Sequence, residues 1–358
     1  MPEIIYQKRY RADDVACPKR SGLVISIGHN GWVGSYTRLK IYETNIVANV
    51  TRLYSRSVMN NLLMDRTTRK NIIWATDEYE ELGSNYGATC QVKYNAITGP
   101  YSGVIKPRVT KAIESQADRT KKKAEVMTPA WICNKMNNAQ DEAWFQRKTG
   151  QCAFNVENGS SWNTVKGPVR FTNKRLHWRL YVDNRRLEIT CGEAPFITSR
   201  YDTTTGEMIP VKDRVGFLDR KLRVVGENTA DEEEWFKWAL RAVQASYGYE
   251  WQGDSLLIAR CNVIQTFSEH MEERWGRRPT DKEAKEVSLV VSWNLWQMDG
   301  LKGSVPLGTP RDEHRQMTIF DLLGEVDPAE KEVPYCRIRD WRSNKTQTYI
   351  SLKDEASK

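Results

Sequence analysis

The chain is 358 residues long, 39% hydrophobic and 28% charged, with a formal net charge of +8. That length supports one large domain or two modest ones. No uncharged apolar run reaches the roughly 18 residues of a membrane helix, and the opening MPEIIYQKRY lacks the apolar segment of a secretion signal, so the expectation is a cytoplasmic protein with no membrane partner.

Seven cysteines, at positions 17, 90, 133, 152, 191, 261 and 336, are odd in number and never closely paired, which fits neither a disulfide framework nor a zinc site. His29, His177, His270 and His314 are equally scattered, and no metal is expected. The basic balance suits a polyanionic partner, because each phosphate neutralised releases a counterion. Thirteen tryptophans offer flat rings for stacking on bases, although most such rings belong in a core.

Residues 1–104 mix short apolar runs such as LVISIG and NIIWA with turn residues, predicting a mixed α/β N-terminal domain. Within it, MDRTTRKN (64–71) is the most charged stretch and matches no motif. A basic, glycine-free segment over 106–126 predicts either a solvated helix or a helix lying along a phosphate backbone. Thr128 and Pro129 then suit the N-cap and first turn of a helix running on through WICNKMNN.

From about residue 180 strands and helices alternate. RRLEITC reads as a strand ending in the CGEAP loop. WFKWALRAVQASY has helical spacing, YGYEW reads as a strand end, and 254–275 as a long amphipathic helix. EVSLVVSWNLWQMDG closes in a buried strand, and VPYCRIRDW predicts one more. This alternation predicts a Rossmann-like, mostly parallel sheet with helices on both faces, occupying residues 105–358. In such sheets ligands bind outside the carboxyl ends of the strands. Small residues follow the first strand at Cys191–Gly192–Glu193–Ala194. Glu250 closes the second, where a carboxylate can accept ribose hydroxyls, and Asp299 closes the third, where it can accept from an adenine amine.

These segments resemble the N6-adenine DNA methyltransferases of restriction–modification systems, of the modification-subunit type. Glu125–Val126–Met127–Thr128–Pro129 is similar to the family's domain-opening motif, with Met127 at its aromatic position. Glu188–Ile189–Thr190–Cys191–Gly192–Glu193–Ala194–Pro195–Phe196 resembles its cofactor loop, with Glu for Asp, the proline lost and Ala194 for the second glycine. Tyr247–Gly248–Tyr249–Glu250 and Trp293–Asn294–Leu295–Trp296–Gln297–Met298–Asp299–Gly300 follow in the family's order. The resemblance, over roughly 115–345, implies S-adenosylmethionine as cofactor, held by Thr128, Pro129, Glu188, Cys191, Gly192, Phe196, Glu250 and Asp299. It implies double-stranded DNA as substrate and a restriction subunit as a partner. It also implies an acid or amide, two prolines and an aromatic residue after the fourth strand, to hold a flipped adenine. The chain has no Pro–Pro pair; Asp340 and Trp341 are the positional substitutes, with Ser292–Trp293–Asn294–Leu295–Trp296 as a second candidate.

Two alternatives follow from that departure: a catalytically inactive DNA- or subunit-binding module and a different base modification on the same scaffold. Glu193 with Asp202, Asp213 or Asp219 could separately be read as a metal-dependent nuclease cluster, but acid-rich loops are common and no strand–carboxylate–lysine spacing stands out. The long insertion between the first two strand motifs, 198–228, predicts either a substrate loop or an elaboration packed on the sheet. Because the chain ends soon after the predicted fourth strand, the resemblance leads us to expect no C-terminal target-recognition domain and to expect residues 1–104 to help bind DNA.

Overall fold

The structure, a computed structural model, describes residues 3–5, 45–111, 127–171, 177–310 and 332–356. Its helices among these are α1 (Ile46–Leu53), α2 (Arg56–Leu63), α3 (Ala130–Trp144), α4 (Trp178–Val182), α5 (Phe217–Asn228), α6 (Glu232–Gln244), α7 (Gly253–Trp275), α8 (Asp281–Asn294) and α9 (Tyr349–Ala356). The strands are β1 (Glu3–Ile5), β2 (Met64–Asp65), β3 (Lys70–Asn71), β4 (Asn155–Asn158), β5 (Ser161–Thr164), β6 (Arg186–Glu188), β7 (Ser246–Glu250), β8 (Leu295–Gln297), β9 (Thr309–Pro310), β10 (Glu332–Val333), β11 (Arg337–Asp340) and β12 (Lys345–Thr348).

The fold is mixed α/β around a four-stranded sheet in the order β1-β6-β7-β8, parallel throughout. Side chains alternate across each strand. Leu187, Tyr247, Tyr249 and Trp296 share one face; Gly248 and Leu295 belong to the other, where a Cβ on Gly248 would come within 3.0 Å of Ile197 and 3.3 Å of the Cys191 sulfur.

The expected helices on both faces are not what forms. The chain steps from β6 to β7 to β8 in one direction, and right-handed crossovers then put every intervening helix on the same side. Buried residues of α5, α6, α7 and α8 accordingly share one core, among them Leu222, Trp235, Phe267 and Val287. The second face is covered by the β11–β12 hairpin and α9, with Tyr349 packed on Tyr249 and Trp296. VPYCRIRDW does supply a strand, but β11 pairs antiparallel with β12 and stays outside the parallel sheet. The strand beside β6 on its other side is β1, with Ile5 in register with Glu188.

The boundary expected near residue 104 does not coincide with a break in the core. Val50, Leu62, Trp74 and Ile97 join the same apolar cluster as α7 and α8. The fully buried Arg260 of α7 donates to the carbonyls of Leu62 (2.6 Å), Met64 and Leu295. α3 is fastened beneath the sheet by charge: Asp141 accepts from Arg186 at 2.6 Å, Arg220 at 2.5 Å and the Tyr181 hydroxyl at 2.8 Å. Burial by itself would raise the Asp141 carboxyl, but the two guanidiniums outweigh it and hold it below the usual carboxylate range.

Candidate functional site

The four strands lie in sequence order, β1-β6-β7-β8, so the described sheet has no reversal of strand order. Ligands of open parallel sheets lie outside the carboxyl ends of the strands. The loop after β6 is at that edge. Its turn is tight, with the Cys191 amide donating to the Tyr249 carbonyl at 2.8 Å and the Ala194 amide to the Cys191 carbonyl at 2.7 Å. Thr190, Gly192 and Ala194 consequently sit at φ of +45°, +53° and +64°. Two of these carry a Cβ in the left-handed region, where it is disfavoured. Gly192 has open space around it: an added Cβ would meet no atom within 4 Å.

Two carboxylates organise this loop. Glu250, ending β7, accepts from the Gly192 amide at 2.8 Å through one oxygen and from the Trp251 and Gln252 amides through the other. The ends of β6 and β7 are thereby tied together. Glu188 points inward and is 1% exposed. It accepts from the Phe196 and Ile197 amides at 3.4 and 3.0 Å, closing the loop from beneath. Burial pushes its carboxyl well above the usual range, against those amides, which favour the charged form.

Thr128 and Pro129 arrive at the same loop from α3. The expected Thr128 cap does not form; the Thr128 carbonyl accepts from the Thr203 hydroxyl at 2.8 Å, and the first amide of α3, Ala130, donates to Asp202 at 2.7 Å. A carboxylate 72 residues away in sequence does the capping instead. Asn137, one helical stage on, donates to the carbonyls of Phe196 and Val215. Neither Asn137 nor Asp202 stands out in the sequence, because each is defined by a distant backbone partner. Only the turn-forming character of YDTTTG is legible there.

The other expected site residues divide. The Cys191 and Phe196 side chains are buried, at 1% exposure each, and serve the core rather than a ligand surface. Burial pushes the Cys191 thiol well up. Asp299 follows β8 at the carboxyl edge, where it accepts from the Leu301 and Lys302 amides and shapes the Gly300–Gly303 turn. Asp340 and Trp341 lie at the opposite edge. Asp340 meets Arg185, which precedes β6, at 3.6 Å, and the Trp341 indole donates to Asn294, which precedes β8, at 2.7 Å. β11 runs antiparallel in its hairpin toward the amino ends of the sheet, so its last residues are carried away from the carboxyl edge. The second candidate stretch, Ser292–Trp296, leads into β8 from that same amino end.

The four acids considered as a nuclease cluster are spent separately. Glu193 accepts from the Arg108 amide and the Tyr201 hydroxyl, Asp213 from Thr164, and Asp219 from the Ser199 amide beside His270. No three His, Cys, Asp or Glu side chains are grouped to share an ion among the described residues. The insertion packs on the sheet: Asp219, Arg220 and Lys221 are buried at the start of α5. Of the basic 106–126 segment, residues 112–126 lie outside the described residues. No described helix is long and apolar enough to cross a membrane.

Comparison with protein-family models, curated proteins and solved structures finds no match to this chain.

Proposed function

We propose that the carboxyl edge of the sheet around Gly192 forms a crevice that binds S-adenosylmethionine and that the protein is a Rossmann-like methyltransferase acting on the adenine N6 amine in DNA. The observation that carries the reading is the open backbone of Gly192 at the carboxyl edge of the parallel sheet, tied directly to the strand-end carboxylate Glu250. A nucleoside cofactor needs this pairing, a surface without side chains that it can approach and an acceptor for its ribose hydroxyls. Glu250 would take the ribose with its orientation already set by three amides. Thr128 and Pro129 would border the methionine end, and Asp299 the adenine. The cofactor supplies an electrophilic methyl group; the protein positions the amine and excludes water. A DNA substrate accords with the basic composition, and a restriction subunit is the partner that the motif order suggests.

Titration calorimetry with S-adenosylmethionine tests this reading, and absence of binding at millimolar cofactor would refute it. Glu250→Ala should weaken binding by about 1.5–3 kcal/mol, the worth of a hydrogen bond to a charged group.

One observation favours a second reading, a cofactor-binding module that engages DNA or a partner subunit without methylating. Asp340 and Trp341, the acceptor and aromatic pair that motif order favours, are held at the other edge by Arg185 and Asn294. Transfer of label from methyl-labelled cofactor to mixed DNA separates the two.

A further inference from the structure

A different part of the molecule, beside the outer strand β8 and two strands away from the Gly192 loop, carries a cavity. It measures about 440 Å³ and is lined by Met64, Arg66, Arg69, Trp293, Arg337 and Thr346. Three guanidiniums, an indole, a hydroxyl and a thioether make up this wall, without one carboxylate.

Each arginine is placed by the fold. Arg66 and Arg69 flank the four-residue turn joining β2 to β3, which Asp65 fixes by accepting from the Thr67 and Thr68 amides at 3.1 and 3.0 Å. Arg66 is held by neutral partners, Nε on the Ser292 hydroxyl at 2.8 Å and Nη2 on Asn61 at 3.1 Å. Burial lowers its pKa, with Asp65 acting in the other direction. Arg69 keeps a φ of +59°, a conformation glycine or asparagine would adopt at lower cost. Arg337 comes from β11, where Cys336 and Ile338 point into the core and the alternate arginines point out. Its amide donates to Thr67 at 2.9 Å, locking strand and turn together.

The neighbouring arginines show what is unusual here. Arg185, Arg241 and Arg342 all pair with Asp183 or Asp340. Arg66, Arg69 and Arg337 have no carboxylate within ion-pair distance among the described residues. Gathering three like charges at one cavity costs free energy unless an anion sits between them, and planar guanidinium forks match phosphate oxygens. The indole of Trp293 adds a flat surface for a planar base.

We propose that this cavity binds a nucleotide unit, its phosphate held by Arg66, Arg69 and Arg337 and its base against Trp293. The volume lies in the range of small-ligand pockets, about 300–1,000 Å³. The site is independent of the cofactor reading, since the two share no residue. The nucleotide comes either free or as part of a single strand.

Calorimetry at low salt with adenosine 5′-monophosphate, inorganic phosphate and a short single-stranded oligodeoxynucleotide tests the assignment on the full chain. Arg69→Gln and Arg337→Gln, both at exposed positions, should each weaken the nucleotide probes about ten-fold or more. Arg278→Gln, at a distant exposed ion pair, should leave them unchanged. Trp293→Leu should reduce the monophosphate to the affinity of inorganic phosphate. Binding of the monophosphate identifies a free nucleotide, and binding of the oligonucleotide alone a strand. If no probe binds, if the two arginine variants bind as well as the parent, or if phosphate binds as tightly as the monophosphate, the proposal is overturned.

Discussion

Replacing Gly192 by alanine separates ligand binding from folding at the proposed crevice. The φ of +53° lies where a Cβ costs roughly 1 kcal/mol relative to glycine. No steric term adds to this, because the new Cβ has no neighbour within 4 Å. Thr190 and Ala194 already hold side chains at comparable angles in the same loop, so the backbone conformation itself is tolerated. The folded state should therefore lose about 1 kcal/mol, read as a fall of about 2 °C in melting temperature for a chain of this size. A ligand lying on the Gly192 backbone meets the methyl group directly. Displacing it should cost at least about 1.4 kcal/mol, a ten-fold loss of affinity. Thermal melts and cofactor calorimetry on the same preparation give both numbers. Unchanged affinity in a folded Gly192→Ala protein would remove this loop from the binding surface, and a protein that no longer folds would contradict the open space around it.

Gly253→Ala should behave in the opposite way. Its Cβ would fall 2.0 Å from the Ile73 carbonyl oxygen, where the Gly253 amide already donates to Trp74 at 2.9 Å, so backbone must move. Urea denaturation should show a loss of about 3 kcal/mol. Glu269 lies between Arg200 and Arg214, at 2.5 and 2.6 Å. Burial would raise its pKa, but the two arginines bring it to about 2 from the ordinary 4.5. A depressed carboxylate stabilises fully above its unfolded value and loses that contribution as pH falls through the folded one. Glu269→Gln should thus flatten the decline of melting temperature between about pH 5 and pH 2. Glu188 has the reverse sign: its raised pKa favours folding at low pH and the contribution disappears as pH rises. Glu188→Gln keeps an acceptor oxygen for the closer Ile197 amide, so its melting temperature at pH 8 should equal or exceed the parent's; a drop of several degrees would mean that the charged carboxylate is what holds the loop.

Much of the sheet was legible because its elements carry their own local signals. The helical spacing of 254–275, the alternation in YGYE and the small residues after RLEITC all state a period or a turn without reference to distant residues. With the helical spacing of WFKWALRAVQASY and the buried close of EVSLVVSWNLWQMDG, they place β6, α6, β7, α7 and β8, whereas α5 lies in the expected insertion and α8 in a stretch expected only to close in a strand. The site was legible only as a set of strand-end positions. Which side chains face the carboxyl edge is a question of strand parity and loop turn. Those factors turn Glu188, Cys191 and Phe196 inward, leave Gly192 open, and give Glu250 to the loop amides.

The remaining features depend on partners far away along the chain. Asp202 caps α3, Arg260 satisfies carbonyls near residue 62, and residues 45–97 join the core of the C-terminal half. The three arginines beside Trp293 converge from a turn and a strand some 270 residues apart, the separation of the Arg337 amide from the Thr67 hydroxyl it meets. The sequence by itself determined that a parallel α/β sheet with small and acidic residues at its strand ends would form, because periodicity and turn chemistry act over a few residues. Only the tertiary structure decided which face the helices cover, that β1 flanks β6 while β11 stays outside the parallel sheet, and that Asp340 and Trp341 lie away from the carboxyl edge. The physical reason is that crossover handedness and strand direction are properties of the assembled sheet, not of any one segment.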